Sequence, residues 1–223
     1  MTYFNKVKNL FKSSVQTIIK SDSSYEVDEA AFPAYAHRNP LIDFIFWQRI
    51  KVAYQYALDK KAENIMDFGC GSGVLSYLLS NCSHKVYGLD IEMRPLTLIR
   101  NHIEFPKNIE FINDSLANAN IPNNSIDIIY AMDVLEHIED LGEYIHLFTE
   151  KIKDTGAIIV SGPTENILYK IGRKLSGERF TGDYHVNNIG NIRKEFEKTM
   201  NVKTISKIIW PFVLFEVFVA TRK

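Results

Sequence analysis

Cysteine is nearly absent: Cys70 and Cys82 are the only two in 223 residues, too few for a disulfide framework and without the spacing of a zinc site. An excess of charge of one sign is missing as well. With 26 Lys and Arg against 27 Asp and Glu the formal net charge is -1, so no global field attracts nucleic acid, and no basic tract argues for it as a partner. Nor is there an uninterrupted apolar run of about eighteen residues, the length that crosses a bilayer. The N-terminus lacks the apolar block of a signal peptide, and the expected setting is soluble and cytoplasmic. What the chain does have is an apolar fraction of 46%, enough at this length to bury a full core.

Its most informative stretch is Asp67-Phe68-Gly69-Cys70-Gly71-Ser72-Gly73. A short apolar run at 64–66 precedes it and a helix-like run at 74–80 follows, so the glycines fall where a strand turns into a helix. At such a turn the main chain approaches a ligand, and residues without Cβ leave room for it while tolerating unusual φ/ψ. A nucleotide-like cofactor is the expected occupant. A dinucleotide fingerprint wants a further glycine where this chain has Val74, and the carboxylate of Asp67 suits an amine-bearing or cationic ligand better than a pyrophosphate. Cys70, inside the turn, reads as a small side chain.

Further strand-like runs at 85–89, 109–112, 126–130 and 157–160 end in Asp90, in Asn113-Asp114-Ser115, in Ala131-Met132-Asp133-Val134-Leu135-Glu136-His137 and in Ser161-Gly162-Pro163. Polar or small residues therefore stand at the carboxyl ends of all the strands, the edge at which open α/β sheets bind ligands. Any one of these carboxylates reads equally as a helix cap or a solvated turn. As a set they repeat: Asp67, Asp90 and Asp114 recur after 23 and 24 residues, as strand-helix units require. Asp90 also lies nineteen residues beyond Gly71, close to the separation of a ribose-binding carboxylate. Helical stripes at 95–102 and 141–152 between the strands predict a mainly parallel sheet covered on both faces. Runs at 202–209 and 214–221 are joined at Trp210-Pro211-Phe212, too short a link for a parallel crossover, so they should form an antiparallel hairpin.

From about residue 64 to 160 the chain resembles the class I S-adenosylmethionine-dependent methyltransferases, whose first motif has this acidic-x-Gly-x-Gly-x-Gly form. The resemblance implies an α/β fold with a Rossmann-like, seven-stranded, mostly parallel, doubly wound sheet ending in a C-terminal antiparallel hairpin, and S-adenosylmethionine as cofactor. It also implies roles. Gly69, Gly71 and Gly73 would admit the methionine portion, and Asp67 would contact its amino group directly or through water. Asp90 would take the ribose hydroxyls, Ile91 would pack on adenine, and Asp114 with Ser115 would hold the adenine edge. Carbonyls near Ala131 and Met132 would hold the amino-acid end. The acceptor implied is a small molecule, methylated at oxygen: a metabolite, glycan or lipid-linked precursor.

A general base is needed only for a protonated nucleophile, and His137 and His185 are the expected ones, with His37 a further choice. The competing reading for a lone histidine is structural. Asp133-x-x-Glu136-His137 is similar to the corresponding stretch of quinone-pathway O-methyltransferases, some of which bind magnesium there; no metal site is assigned here. Three alternatives stay open: a quinone-precursor O-methyltransferase, a nicotinamide-dependent oxidoreductase, and a non-enzymatic nucleotide-binding module.

Residues 1–60 read as an N-terminal helical cap on a domain at 61–223. Phe4, Val7, Leu10, Phe11, Val15, Ile18 and Ile19 repeat at helical spacing beside Lys6, Lys8, Lys12 and Lys20. Such a helix, over residues 4–19, covers the domain, lies on an anionic membrane or joins a second copy in a homodimer. A polar linker at 21–29 leads to Pro40, which opens a helix at 41–58 with Gln48, Lys51, Gln55 and Asp59 on one side and Phe46, Ile50, Ala53 and Ala57 on the other. Tyr35, His37, Arg38 and Arg49 are candidates for the pocket wall, against the alternative of solvated surface groups. Residues 163–186, with Tyr169, Arg173, Lys174, Arg179, Tyr184 and His185, read as a substrate-covering insertion or a decorated surface loop, and a helix is expected at 187–199.

Overall fold

The computed structural model describes residues 2–21, 40–164, 186–208 and 213–223. Seven strands, β1 (Asn64–Phe68), β2 (Lys85–Asp90), β3 (Ile109–Asn113), β4 (Ile126–Met132), β5 (Ile152–Pro163), β6 (Met200–Ile208) and β7 (Phe215–Arg222), form one sheet of order β3-β2-β1-β4-β5-β7-β6. The first five run parallel. β7 is inserted antiparallel between β5 and β6. The expected sheet, with its terminal hairpin, is the one observed.

The central strands are mostly apolar because both their faces are covered. Side chains alternate across a strand, so Ile128 and Tyr130 of β4 join one core while Ile129 and Ala131 join the other. The first core also takes side chains from α1 (Tyr3–Ser21), α2 (Pro40–Lys60) and α3 (Val74–Leu79). Ile99 of α4 (Arg94–Arg100) belongs to it too. The second is closed by α5 (Leu141–Lys151) and α6 (Ile189–Thr199).

α1 takes the first of its expected options. Val7, Phe11, Val15 and Ile18 are buried within the molecule, with Phe11 meeting Tyr77 and Phe105 edge-on at centroid distances of 5.6 and 6.1 Å. Lys8 and Lys12 clasp Asp43 of α2 at 2.9 and 2.6 Å. Most of the apolar stripe is thus covered by the chain itself, while Leu10 stays exposed together with Lys6, Asn9, Ser13, Gln16, Thr17 and Lys20. Among the described residues no helix is long and apolar enough to cross a membrane.

Two element expectations need correction. α2 is buried around more of its circumference than a single stripe: Ile45, Trp47, Arg49 and Tyr54 are buried with Ile50, Ala53 and Ala57, whereas Phe46 is only half-buried. The reason is that α2 lies between two partners. Phe4 of α1 packs on Trp47 and Tyr54, and the Tyr130 hydroxyl of the sheet donates to the Ala53 carbonyl at 2.9 Å. β5 begins at Ile152, not at 157, because Ile152 already pairs with Ile126 and Lys153 reaches Asp127 at 2.7 Å. Polar residues at its start masked an extended segment. The link Trp210-Pro211-Phe212 and most of the linker at 21–29 lie outside the described residues.

Candidate functional site

The strand order reverses at β1, which has β2 on one side and β4 on the other. Outside the carboxyl ends at such a switch point two flanking connections diverge and leave a crevice. The turn after β1 holds Gly69, Gly71 and Gly73, all with positive φ of 73°, 51° and 76°. Gly69 is required twice over. Its φ lies in the region that L side chains avoid, and a Cβ there would come within 2.7 Å of Val134 Cγ2. The turn is pinned from below by the Leu89 carbonyl, which accepts from the amides of Gly69 at 2.8 Å and Cys70 at 3.1 Å.

Asp90, at the tip of β2, faces that turn. Its Oδ2 accepts from the Gly71 amide at 2.8 Å and its Oδ1 from the Glu92 amide at 3.0 Å. A carboxylate has about four lone-pair positions, so two hydroxyls can still be accommodated. Asn113 of β3 braces this tip by donating to the carbonyls of Asp90 and Ile91 at 3.3 and 3.2 Å. Ile91 itself is 79% exposed, an aliphatic side chain held out beside a carboxylate, as a flat ring stacked there would require. Asp114 and Ser115 form the next tip, where the Asp114 carboxylate accepts from the Ser115 amide at 2.7 Å and from Asn118 at 3.1 Å.

Asp67 is placed differently from a surface contact. It is 2% exposed and accepts from the Ser76 hydroxyl at 2.6 Å. Burial pushes its carboxyl up to about 6, against the opposing effect of the Ser76 hydrogen bonds. Burial likewise pushes the Cys70 thiol well up, and Cys70 acts as the small buried filler that was expected.

β4 ends in Ala131, buried, and Met132, half-buried. Asp133 follows with φ of 57°, a left-handed backbone on a residue that has a Cβ. Its amide donates to the Ser161 carbonyl at 3.0 Å, and its Oδ1 accepts from the Ser161 hydroxyl at 3.2 Å. Its Oδ2 is paired with the Arg49 guanidinium of α2. Arg49, one of the pocket-wall candidates, is 2% exposed and is not a solvated surface group. Its signal in the sequence was position: Ile45 and Ala53, four residues to either side, are both buried, so a cation stood on the apolar face of a helix.

Glu136 is buried and His137 exposed on a short 3-10 turn, Leu135–His137. The Glu136 carbonyl accepts from the amides of Val186 and Asn187 at 2.8 and 3.1 Å, which ties the end of the expected insertion to this turn. His185, Tyr35, His37 and Arg38, and Tyr169, Arg173, Lys174, Arg179 and Tyr184 of the insertion, lie outside the described residues. Among the described residues no three His, Cys, Asp or Glu side chains gather into a possible metal site.

A family model described as a methyltransferase domain matches residues 41–199. The ubiquinone biosynthesis O-methyltransferase of Hydrogenovibrio crunogenus is 29% identical over 170 residues, covering 74% of this chain and 66% of that protein. The chain spans about half the length of the curated relatives it matches. The crystal structure of magnesium protoporphyrin IX methyltransferase from Synechocystis PCC 6803 with bound SAH has a TM-score of 0.61 at 22% identity, covering 82% of this chain and 86% of that one. A protein from Pyrococcus horikoshii OT3 has a TM-score of 0.69 at 18% identity over 91% of this chain and 99% of its own. These two likenesses show the fold.

Proposed function

The chain belongs to the methyltransferase domain family, and from that membership we propose that it is an S-adenosylmethionine-dependent methyltransferase acting on an oxygen of a small-molecule acceptor. The single observation that carries the cofactor assignment is the coupling of two tips: the Gly71 amide of the glycine turn donates to Asp90 at 2.8 Å, beside an exposed Ile91. A turn that admits a methionine chain, a carboxylate for ribose hydroxyls and an aliphatic platform for adenine are therefore contiguous. A buried carboxyl, Asp67, lies beneath the turn, where it complements an amino group.

S-adenosylmethionine supplies a methyl group activated by its sulfonium, transferred in line to the acceptor oxygen as the carbon-sulfur bond breaks and its electron pair stays on sulfur. The protein's task is to hold two partners in line and exclude water. In this reading Asp114 and Ser115 hold the adenine edge, and the carbonyls of Ala131 and Met132 hold the amino-acid end. His137, exposed just past β4, takes the proton from the acceptor hydroxyl; His185 is the second choice. Residues 1–60 serve as a helical cap and residues 163–186 as the substrate cover.

A quinone-precursor acceptor, a phenolic hydroxyl, is the second reading, favoured by the name of the Hydrogenovibrio relative. If it holds, Asp133 is not free to serve as a magnesium ligand in the way the similar stretch implies, because Arg49 and Ser161 already engage both its oxygens.

Isothermal titration with S-adenosylmethionine tests the assignment. The wild-type protein should bind, and Asp90→Ala should bind about tenfold or more weakly, since hydrogen bonds to a charged group are lost. Absence of binding to the wild type overturns the reading; unchanged affinity in the variant overturns the ribose contact. Turnover of a tailed catechol, but not of its fully methylated ether, would select the quinone-precursor class.

A further inference from the structure

We propose that Arg49 is a positioning residue: through Asp133 it holds the turn after β4 in place and thereby sets the shape of the cofactor turn after β1. The inference starts from two features that cost free energy. Asp133 adopts φ of 57°, a conformation that an L residue keeps only where its surroundings over-determine it. Arg49 is a buried cation whose Nε has no hydrogen-bond partner among the described residues, although buried polar groups are normally satisfied. Both concern the same contact.

The guanidinium is locked between two rings, its carbon 4.2 Å from the centroid of Phe46 and 4.1 Å from that of Phe215. Phe46 belongs to α2 and Phe215 opens β7, so the cation's place is set by two elements outside the crevice. From there it meets Asp133 Oδ2, while Ser161 of β5 takes the amide and the other oxygen. Three contacts from two directions thus fix one left-handed residue. The next residue is Val134, whose methyl carbons stand where a Cβ on Gly69 would be, at 2.7 and 3.3 Å. The same turn leads into the short helix that carries His137. If Asp133 relaxes to an ordinary φ, Val134 leaves Gly69 and His137 is redirected. Arg49 then acts at a distance from both, through a backbone conformation.

The test has one arm independent of the proposed function and one that rests on it. In the cofactor-free protein, Arg49→Met should speed amide hydrogen exchange at Asp133 and His137 by about tenfold or more, with Ile65 in β1 unchanged. Equal exchange in variant and wild type overturns the proposal. In the second arm, affinity for S-adenosylhomocysteine should fall about tenfold in Arg49→Met. Adding Asp133→Asn should recover most of it, because asparagine tolerates a left-handed backbone and leaves no unpaired carboxylate. A merely structural loss would not be repaired by a second substitution at the turn. Unchanged affinity in the single variant, or no recovery in the double, overturns the proposal. If Arg49→Met does not fold, Arg49→Lys keeps the charge without the planar fork and should shift both readouts in the same direction. A wild-type protein that binds no S-adenosylhomocysteine would sink the methyltransferase reading, and the exchange arm would still decide the role of Arg49.

Discussion

The two turns that flank the crevice reach the same unusual backbone by opposite means. After β1, the left-handed positions are glycines, Gly69, Gly71 and Gly73, which adopt that backbone without a steric penalty of their own. After β4, the left-handed position is Asp133, held by Ser161 and by an arginine from a helix 84 residues earlier in the chain. The first turn is local chemistry and the second is tertiary. They meet where Val134 covers Gly69.

Gly69→Ala should produce the largest effect. It adds a left-handed penalty of about 1–2 kcal/mol to an overpacking cost of about 1–3 kcal/mol against Val134. Denaturant unfolding should show a loss within the sum of those ranges, and because the Val134 Cβ itself would stand 2.8 Å from the added carbon, Val134→Ala in the same chain should recover only a fraction of the second part. Asp133→Gly follows, and its sign separates the two turns. Glycine removes the backbone strain, but it leaves Arg49 buried without its carboxylate, which costs about 3 kcal/mol or more, so the variant should be less stable than wild type. A gain in stability would mean that the ion pair contributes nothing to that turn.

Asp67→Asn comes next. Because burial raises the folded-state carboxyl from 3.8 to about 6, the folded protein holds a proton there that the unfolded chain has already lost. Stability from this group therefore falls as pH rises from about 4 to about 6, by up to about 1.4 kcal/mol per pH unit. Asparagine does not titrate, so the variant should gain on the wild type across that window and by a constant amount above it; parallel pH profiles would remove Asp67 as the buried titrating group. The smallest effect is expected at Lys61, an exposed residue with φ of 52° just past α2. Lys61→Gly should stabilise by about 0.5–1 kcal/mol, since among the described residues nothing comparable to the Arg49 contact holds it, and thermal unfolding would show whether such a left-handed residue behaves unlike Asp133.

The alternation of strands and helices, the carboxylates Asp90 and Asp114 at successive tips, the glycine turn and the closing hairpin were legible because each depends on near neighbours: period, parity and turn length. The long β5 was not, because Lys153 and Asp154 look like turn residues until Ile126 and Asp127 are placed beside them. The amphipathic pattern of α1 specified an apolar face but not its partner. Arg49 read as a wall or surface residue because its meaning lies in Phe46, Phe215 and Asp133 together, and only one of those is close to it along the chain.

What the sequence by itself determined is the repeating strand-helix unit and the glycine-rich turn, since hydrophobic period and the absence of a Cβ act within a few residues. Only the tertiary structure decided that α1 turns its apolar face inward, that Asp67 is enclosed beneath the turn rather than exposed on it, and that Arg49 reaches Asp133. Burial and ion pairing depend on which distant segments occupy the surrounding volume, and that information is carried by the packed chain as a whole.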